Sequence, residues 1–269
     1  MPTQPQMPAG TADRFPWSKV PLITVYFWVI KLLTTAMGEA ASDAMMHRMA
    51  PIAAVALGAA ALVVALVLQL RKDRYVAWAY WLLVAMVSVF GTMAADAVHK
   101  LGLSHLAATA LYGIALCLVF LLWHRREGSL DMHGIRNPRR EYFYWATVFI
   151  SFAFGTAAGD MTAGTLHLGN LDSGFLFAAL FVAPALGYRF LRLNGIVAFW
   201  FAYVMTRPLG ASFADWVAKP HAKGGLDAGT LPVALLLTLL IVILVVYLTV
   251  SRCDVEEATP LDRTAAVSP

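Results

Sequence analysis

Five polar residues recur at steps of four along one apolar stretch: Lys31, Thr35, Glu39, Asp43 and His47. A step of four advances a helix by about 400°, so on a helix these side chains form one slowly drifting stripe. An ammonium, two carboxylates and an imidazole on one face could bind a cation, move protons, or pair with charges on neighbouring helices. Carboxylates suit hard divalent cations, and an imidazole beside them extends the range to zinc-like or manganese-like ions. The neighbouring Met37, Met45, Met46 and Met49 could join His47 around Cu(I), but thioethers far more often fill a bundle.

The frame that carries this stripe returns three times. An aromatic residue precedes a Trp, a Gly follows the Trp by ten, and an Asp follows the Gly by five. The four copies are Phe27-Trp28 with Gly38 and Asp43, Tyr80-Trp81 with Gly91 and Asp96, Tyr144-Trp145 with Gly155 and Asp160, and Phe199-Trp200 with Gly210 and Asp215. Four copies in register mark internal duplication. The candidate metal ligands are therefore Glu39, Asp43, His47, Asp96, Asp160 and Asp215. Lys31, Thr35, Thr92, Thr156 and Arg207 are candidate pathway residues or charge partners. Lys31 and Arg207 are the cations set deep in their helices, against five carboxylates. The competing reading is architectural: aspartates at helix ends can bond between helices or close a turn. The glycines read as close-packing points and the tryptophans as interfacial anchors or packing.

The elements that hold these residues are long and apolar. The chain has 269 residues, of which 60% are hydrophobic and only 13% charged, and its mean hydropathy is +0.68. Soluble domains carry roughly 25% charged residues. The pattern predicts an all-α, polytopic membrane bundle of eight transmembrane helices, at about 20–43, 51–70, 75–97, 106–123, 141–161, 174–190, 195–216 and 231–250. They form four tandem hairpins (about 19–70, 75–123, 141–190 and 195–250). A polar, Pro-rich tail, expected to be disordered, covers 1–18, and a C-terminal tail covers 251–269. The longest connection, 124–140, reads as a linker between two halves.

Arg and Lys gather after the second, fourth, sixth and eighth segments, which places both termini in the cytoplasm. First helices hold most of the buried polar groups, so they should line the centre while second helices face lipid. Cys117 and Cys253 are too few for a disulfide or thiolate framework. No phosphate-binding glycine loop or catalytic serine arrangement stands out, and no nucleic-acid partner is expected.

The repeats, from KVPLITVYFWVIKLLTTAMGEAASD through the endings FGTMAAD, FGTAAGD and LGASFAD, resemble a bacterial membrane-protein family of four tandem two-helix repeats of unknown function. The resemblance spans 19–250. It implies a multi-pass protein of the bacterial inner (plasma) membrane and brings no activity with it. From the residues, the leading expectation is a transporter or channel for a cation, a divalent metal first, proton-coupled through Glu39 and Asp43. Its partners would be the lipid bilayer and the transported cation, with a divalent metal ion as the candidate cofactor. The alternatives are a non-transporting sensor or assembly module whose charges hold the bundle, and a membrane-embedded enzyme with a carboxylate–His metal centre.

Overall fold

The computed structural model describes residues 17–255. The expected tails at 1–18 and 251–269 lie outside these residues except for Trp17, Ser18 and 251–255.

Eight α-helices account for the membrane domain: α1 Val25–Arg48, α2 Pro51–Leu70, α3 Ala77–Lys100, α4 His105–Glu127, α5 Pro138–Asp160, α6 Gly169–Leu191, α7 Gly195–Ala218 and α8 Thr230–Ser251. No strand occurs among the described residues. Local chemistry sets several starts. Thr24, Ser104, Asn137 and Asn194 each accept a backbone N–H of the following first turn, satisfying a donor the helix cannot. Pro51 and Pro138 occupy first-turn positions, where no N–H is needed. The cap at Thr24 delays α1 beyond the expected residue 20, and α6 begins at Gly169 rather than at 174.

Six helices, α2, α3, α4, α6, α7 and α8, are long and apolar enough to cross a bilayer. The remaining two, α1 and α5, match them in length but carry more polar residues. Both are shielded by protein. Helices α1, α3, α5 and α7 form an inner ring in which each packs against the next and α7 closes on α1. The outer helices α2, α4, α6 and α8 have few buried residues.

The outer helices do not pack mainly on the helix that precedes them in their own hairpin. Instead α2 lies on α3, α4 on α5, α6 on α7, and α8 on α1. Each repeat is thus wrapped by the outer helix of the repeat before it, and the last outer helix returns to the first inner one.

Two features repeat around the ring with the same handed order. At one end, the leading aromatic of each repeat meets the Trp of the next. Centroid separations are 5.7 Å for Phe27–Trp81, 5.4 Å for Tyr80–Trp145, 6.0 Å for Tyr144–Trp200 and 5.7 Å for Phe199–Trp28. These lie in the favourable range for edge and tilted contacts. Trp81, Trp145 and Trp200 are buried, so their role in the fold is packing. At mid-helix, each glycine faces the residue three before the glycine of the next repeat: Gly38 faces Ser88, Gly91 faces Phe152, Gly155 faces Arg207 and Gly210 faces Thr35. A Cβ at Gly38, Gly155 or Gly210 would overlap its neighbour, and one at Gly91 would come within 3.0 Å of Phe152. Small residues permit this approach in a bundle that has little hydrophobic driving force between helices.

The aromatic end is capped by four segments of the chain. The 128–137 connection carries a 3-10 turn, Met132–Gly134, and buries Met132 and Ile135. It is part of the core rather than a mere linker. Lys19 N–H donates to the Ile135 carbonyl (3.1 Å), Tyr75 N–H to Ser18 (3.0 Å) and Leu22 N–H to Asp254 (3.0 Å). Lys19 and Glu141 form a buried ion pair, and Trp200 Nε1 donates to the Leu130 carbonyl at 2.9 Å.

Candidate functional site

The site lies on the ring axis, beyond the glycine level on the side away from the aromatic end. Its centre is Arg207 on α7, a residue 1% exposed. Nη1 donates to the Thr35 carbonyl of α1 at 3.1 Å, and Nη2 donates to Glu39 Oε2 at 2.6 Å. Nη2 also donates to Thr92 Oγ1, on α3 across the ring. Thr92 Oγ1 in turn reaches Glu39 Oε2 at 3.4 Å and its own Ser88 carbonyl at 3.0 Å. One guanidinium thereby ties α7 to α1 and α3. Gly155 makes room for it, because any side chain there would strike the Arg207 Cβ and Cγ. A buried ion pair of this kind is compensated only when hydrogen bonds occupy the remaining polar positions. Thr35 and Thr92 supply part of that compensation.

Above Arg207, ligand atoms of Glu39, Asp43 and Asp215 all lie within 4.8 Å of one another. Oxygens shared by one cation at about 2.0–2.6 Å are at most about 4–5 Å apart, so this spacing fits a cation-sized gap. Asp215 pairs with Lys219, one turn on, at 2.5 Å. Asp96 and Asp160 extend the same layer and lie close enough to feel the charge of Glu39. Neither they nor Asp43 has an ion-pair partner among the described residues. The layer is thus five carboxylates facing Arg207 and Lys219, with Lys100 beside Asp96.

The other sequence candidates fall in different places. His47 is exposed, its Nδ1 2.6 Å from the Asp43 carbonyl oxygen, and it is not part of the converging group. Thr156 and Thr35 return their hydroxyls to their own helices, at the Phe152 and Leu32 carbonyls. Beyond Asp160 the fifth helix continues as a π-helical turn, Met161–Thr165, so the third repeat departs from the frame at its end.

Lys31 joins no carboxylate. Its Nζ lies between two aromatic faces, 3.8 Å from the centre of the Phe152 ring and 4.0 Å from that of Tyr203. Phe152 reaches it from α5, across the ring. The two diagonals, Arg207 to Thr92 and Lys31 to Phe152, fill the axis with side chains. Farther toward the aromatic end, Tyr80 and Tyr144 hydroxyls meet at 2.5 Å.

Sequence reasoning did not find Lys219 as a partner of the layer, nor Phe152, Tyr203 or the Tyr80–Tyr144 pair. The signal for Lys219 was present, since the i, i+4 step after Asp215 is a recognised pairing distance.

These features define a multi-pass helical membrane protein built of four tandem repeats around a polar axis. The family described as Repeat of Unknown Function (DUF347) matches the chain four times, at residues 26–75, 79–129, 143–193 and 198–253, and the protein belongs to that family. No curated protein and no solved structure matches it.

Proposed function

We propose that the protein is a divalent-cation transporter of the bacterial inner membrane, with eight spanning helices, both termini in the cytoplasm and an ion site at Glu39, Asp43 and Asp215. The observation that carries this reading is the 4.8 Å convergence of three carboxylates from the first and last repeats on the ring axis. Charged groups at bilayer depth are costly unless paired, hydrated or functional. Here the acidic groups outnumber the cations beside them.

The basic residues favour the orientation. Arg71, Lys72, Arg74, Arg125, Arg126, Arg189, Arg192 and Arg252 cluster at the aromatic end, as the positive-inside rule expects of a cytoplasmic face. The carboxylate layer would then open outward. Transport as a carrier is favoured over a standing pore, because an ion on the axis would have to pass Arg207, Lys31 and the packed aromatic end. Lys219 and Arg207 act as tethered counter-cations that an arriving ion displaces from Asp215 and Glu39.

Flux measured in proteoliposomes across a panel of divalent ions tests the proposal. Transport is expected to fall at least tenfold in Glu39→Gln and Asp43→Asn. Flux equal to that of empty liposomes, or unaffected by both substitutions, overturns it.

One observation favours a second reading, a non-transporting assembly or sensor module. Glu39 already has Arg207 and Thr92 as partners, which is what a purely structural charge would show. Absence of ion binding by a well-folded protein would establish this alternative.

A further inference from the structure

Lys31 is a buried ionisable group that the carboxylate site does not use. It is 1% exposed, and its Nζ has no hydrogen-bond partner. Two aromatic faces attract a desolvated ammonium, but stripping the ion of its water costs more than they return.

The groups around it offer little else. From α7 it meets Tyr203 and the positive charge of Arg207. From α5 it meets Phe152, with Tyr144 one level nearer the aromatic end. Helix α3 brings Tyr80 at that lower level, bonded to Tyr144, and α8 brings Tyr247, which meets Tyr26 on the exposed face. No carboxylate is in this set. The next one along α1 is Glu39, two turns on and held by Arg207.

Lys31 and Arg207 also share an aromatic wall. The Arg207 guanidinium carbon lies 5.8 Å from the centre of the same Phe152 ring that Lys31 touches. A charged Lys31 beside Arg207 is tolerable while Glu39 neutralises the guanidinium. Once Glu39 turns to another cation, two positive groups face each other at low dielectric, where like charges repel strongly.

We infer that Lys31 carries the proton exchanged against the transported cation, an inference that rests on the transport reading above. When a divalent ion takes the Glu39 oxygens, Arg207 loses its counter-charge. Lys31 then gives one N–H proton to water and keeps the electron pair as a neutral amine. When the ion leaves, Glu39 returns to Arg207 and the amine takes a proton back. Ion occupancy and the Lys31 charge exclude each other without direct contact. The proton carrier is thus set two turns below the carboxylates that hold the ion.

The test uses the full-length protein in detergent, with Mn2+ added to a weakly buffered solution containing a pH indicator. Free Mn2+ is followed by electron paramagnetic resonance. Lys31→Met is expected to release one proton fewer per bound Mn2+ than the wild type and to bind it at least as tightly. Lys31→Arg keeps a charge it cannot shed and is expected to bind about tenfold more weakly, within the usual size of a coupling between sites. Lys31→Gln provides a second neutral variant should Lys31→Met not fold. Bound Mn2+ with an unchanged proton count in the neutral variants overturns this inference alone. Absence of Mn2+ binding by the wild type overturns the transport reading and this inference with it.

Discussion

Arg207 donates to Glu39 over 2.6 Å, and this bond joins the last repeat to the first. The ring is continuous in sequence at three of its four inner contacts and closes in space at the fourth. There the Gly210–Thr35 approach and the Arg207–Glu39 pair occur together. The first and last repeats, which carry Glu39 and Arg207, thus meet at this ion pair.

Removing the guanidinium should strand a buried carboxylate. Arg207→Met is expected to lower stability by about 3–5 kcal/mol, read from unfolding in detergent. Glu39→Gln in the same chain should recover most of the loss. A double variant no more stable than Arg207→Met would show that packing of the arginine stem, not its charge, holds the closure.

Close approach at the glycine level gives a second expectation. Gly38→Ala and Gly210→Ala should each cost about 1–3 kcal/mol, as overpacking usually does, because the added methyl meets neighbouring backbone as well as side chain. Gly164→Ala, where nothing lies within 4 Å, should change stability by less than about 0.5 kcal/mol. Equal losses at all three positions would argue against a ring built on glycine contacts.

Much of this frame is legible in the chain. Trp, Gly and Asp recur at fixed offsets, and those offsets become the aromatic end, the contact level and the acidic layer. Apolar run length gives the helices but not their starts, which caps such as Thr24 and Asn137 set at 25 and 138 rather than at the expected 20 and 141. Which helix each outer segment would cover was not legible. Apolar residues such as those of α2 and α8 fit any apolar wall, so α8 lying on α1 is decided by ring closure alone. The same holds for Arg207 and Glu39: their separation along the chain says nothing until the fourth repeat is placed beside the first. Lys31 reads in sequence as one more stripe charge, and only the arrival of Phe152 from across the ring sets it apart.

Lys219 pairs with Asp215 and is partly exposed, at 29%. Under the proposed transport reading it competes with the ion for that carboxylate. Lys219→Met should therefore tighten Mn2+ binding by about two- to fivefold, the scale of a partly exposed ion pair. Asp215→Asn should weaken it. Isothermal titration of both variants checks the order, and weaker binding by Lys219→Met would remove the lysine from the role of competitor.

The cap at the aromatic end gives a pH dependence. Tyr75 hydroxyl donates to Asp254 Oδ2 at 2.5 Å. Burial pushes the Asp254 carboxyl above the usual carboxylate range, while the Tyr75 hydrogen bond pulls the other way. The folded form therefore binds this proton more tightly than the unfolded chain. The resulting stability is fully present below the ordinary aspartate pKa and is lost as pH rises through the raised value. Asp254→Asn should flatten that part of the stability profile, as thermal unfolding from pH 3.5 to pH 7 would record. An unchanged slope would assign it to another group.

Closure also predicts tolerance of new chain ends. Leu22 and Asp254 are joined by a backbone hydrogen bond of 3.0 Å, so the described ends meet at one face. A circular permutant that joins the tails and opens the chain between the exposed Gly128 and the half-buried Ser129, on that same face, should fold. Its melting temperature should fall within a few degrees of the parent. Failure to insert would mean that the order of synthesis, not only the closed ring, determines the fold.

That order matters because of the offset between inner and outer helices. Each outer helix finds its main partner only after the next repeat has emerged from the ribosome, and α1 finds its own only when α8 arrives. Until then the helix that carries Lys31, Glu39 and Asp43 lacks both Arg207 and its outer cover. The nascent protein is therefore most vulnerable in its first repeat, and for nearly the whole of its synthesis. Loss of the final helix alone would leave the first one open to quality-control proteases.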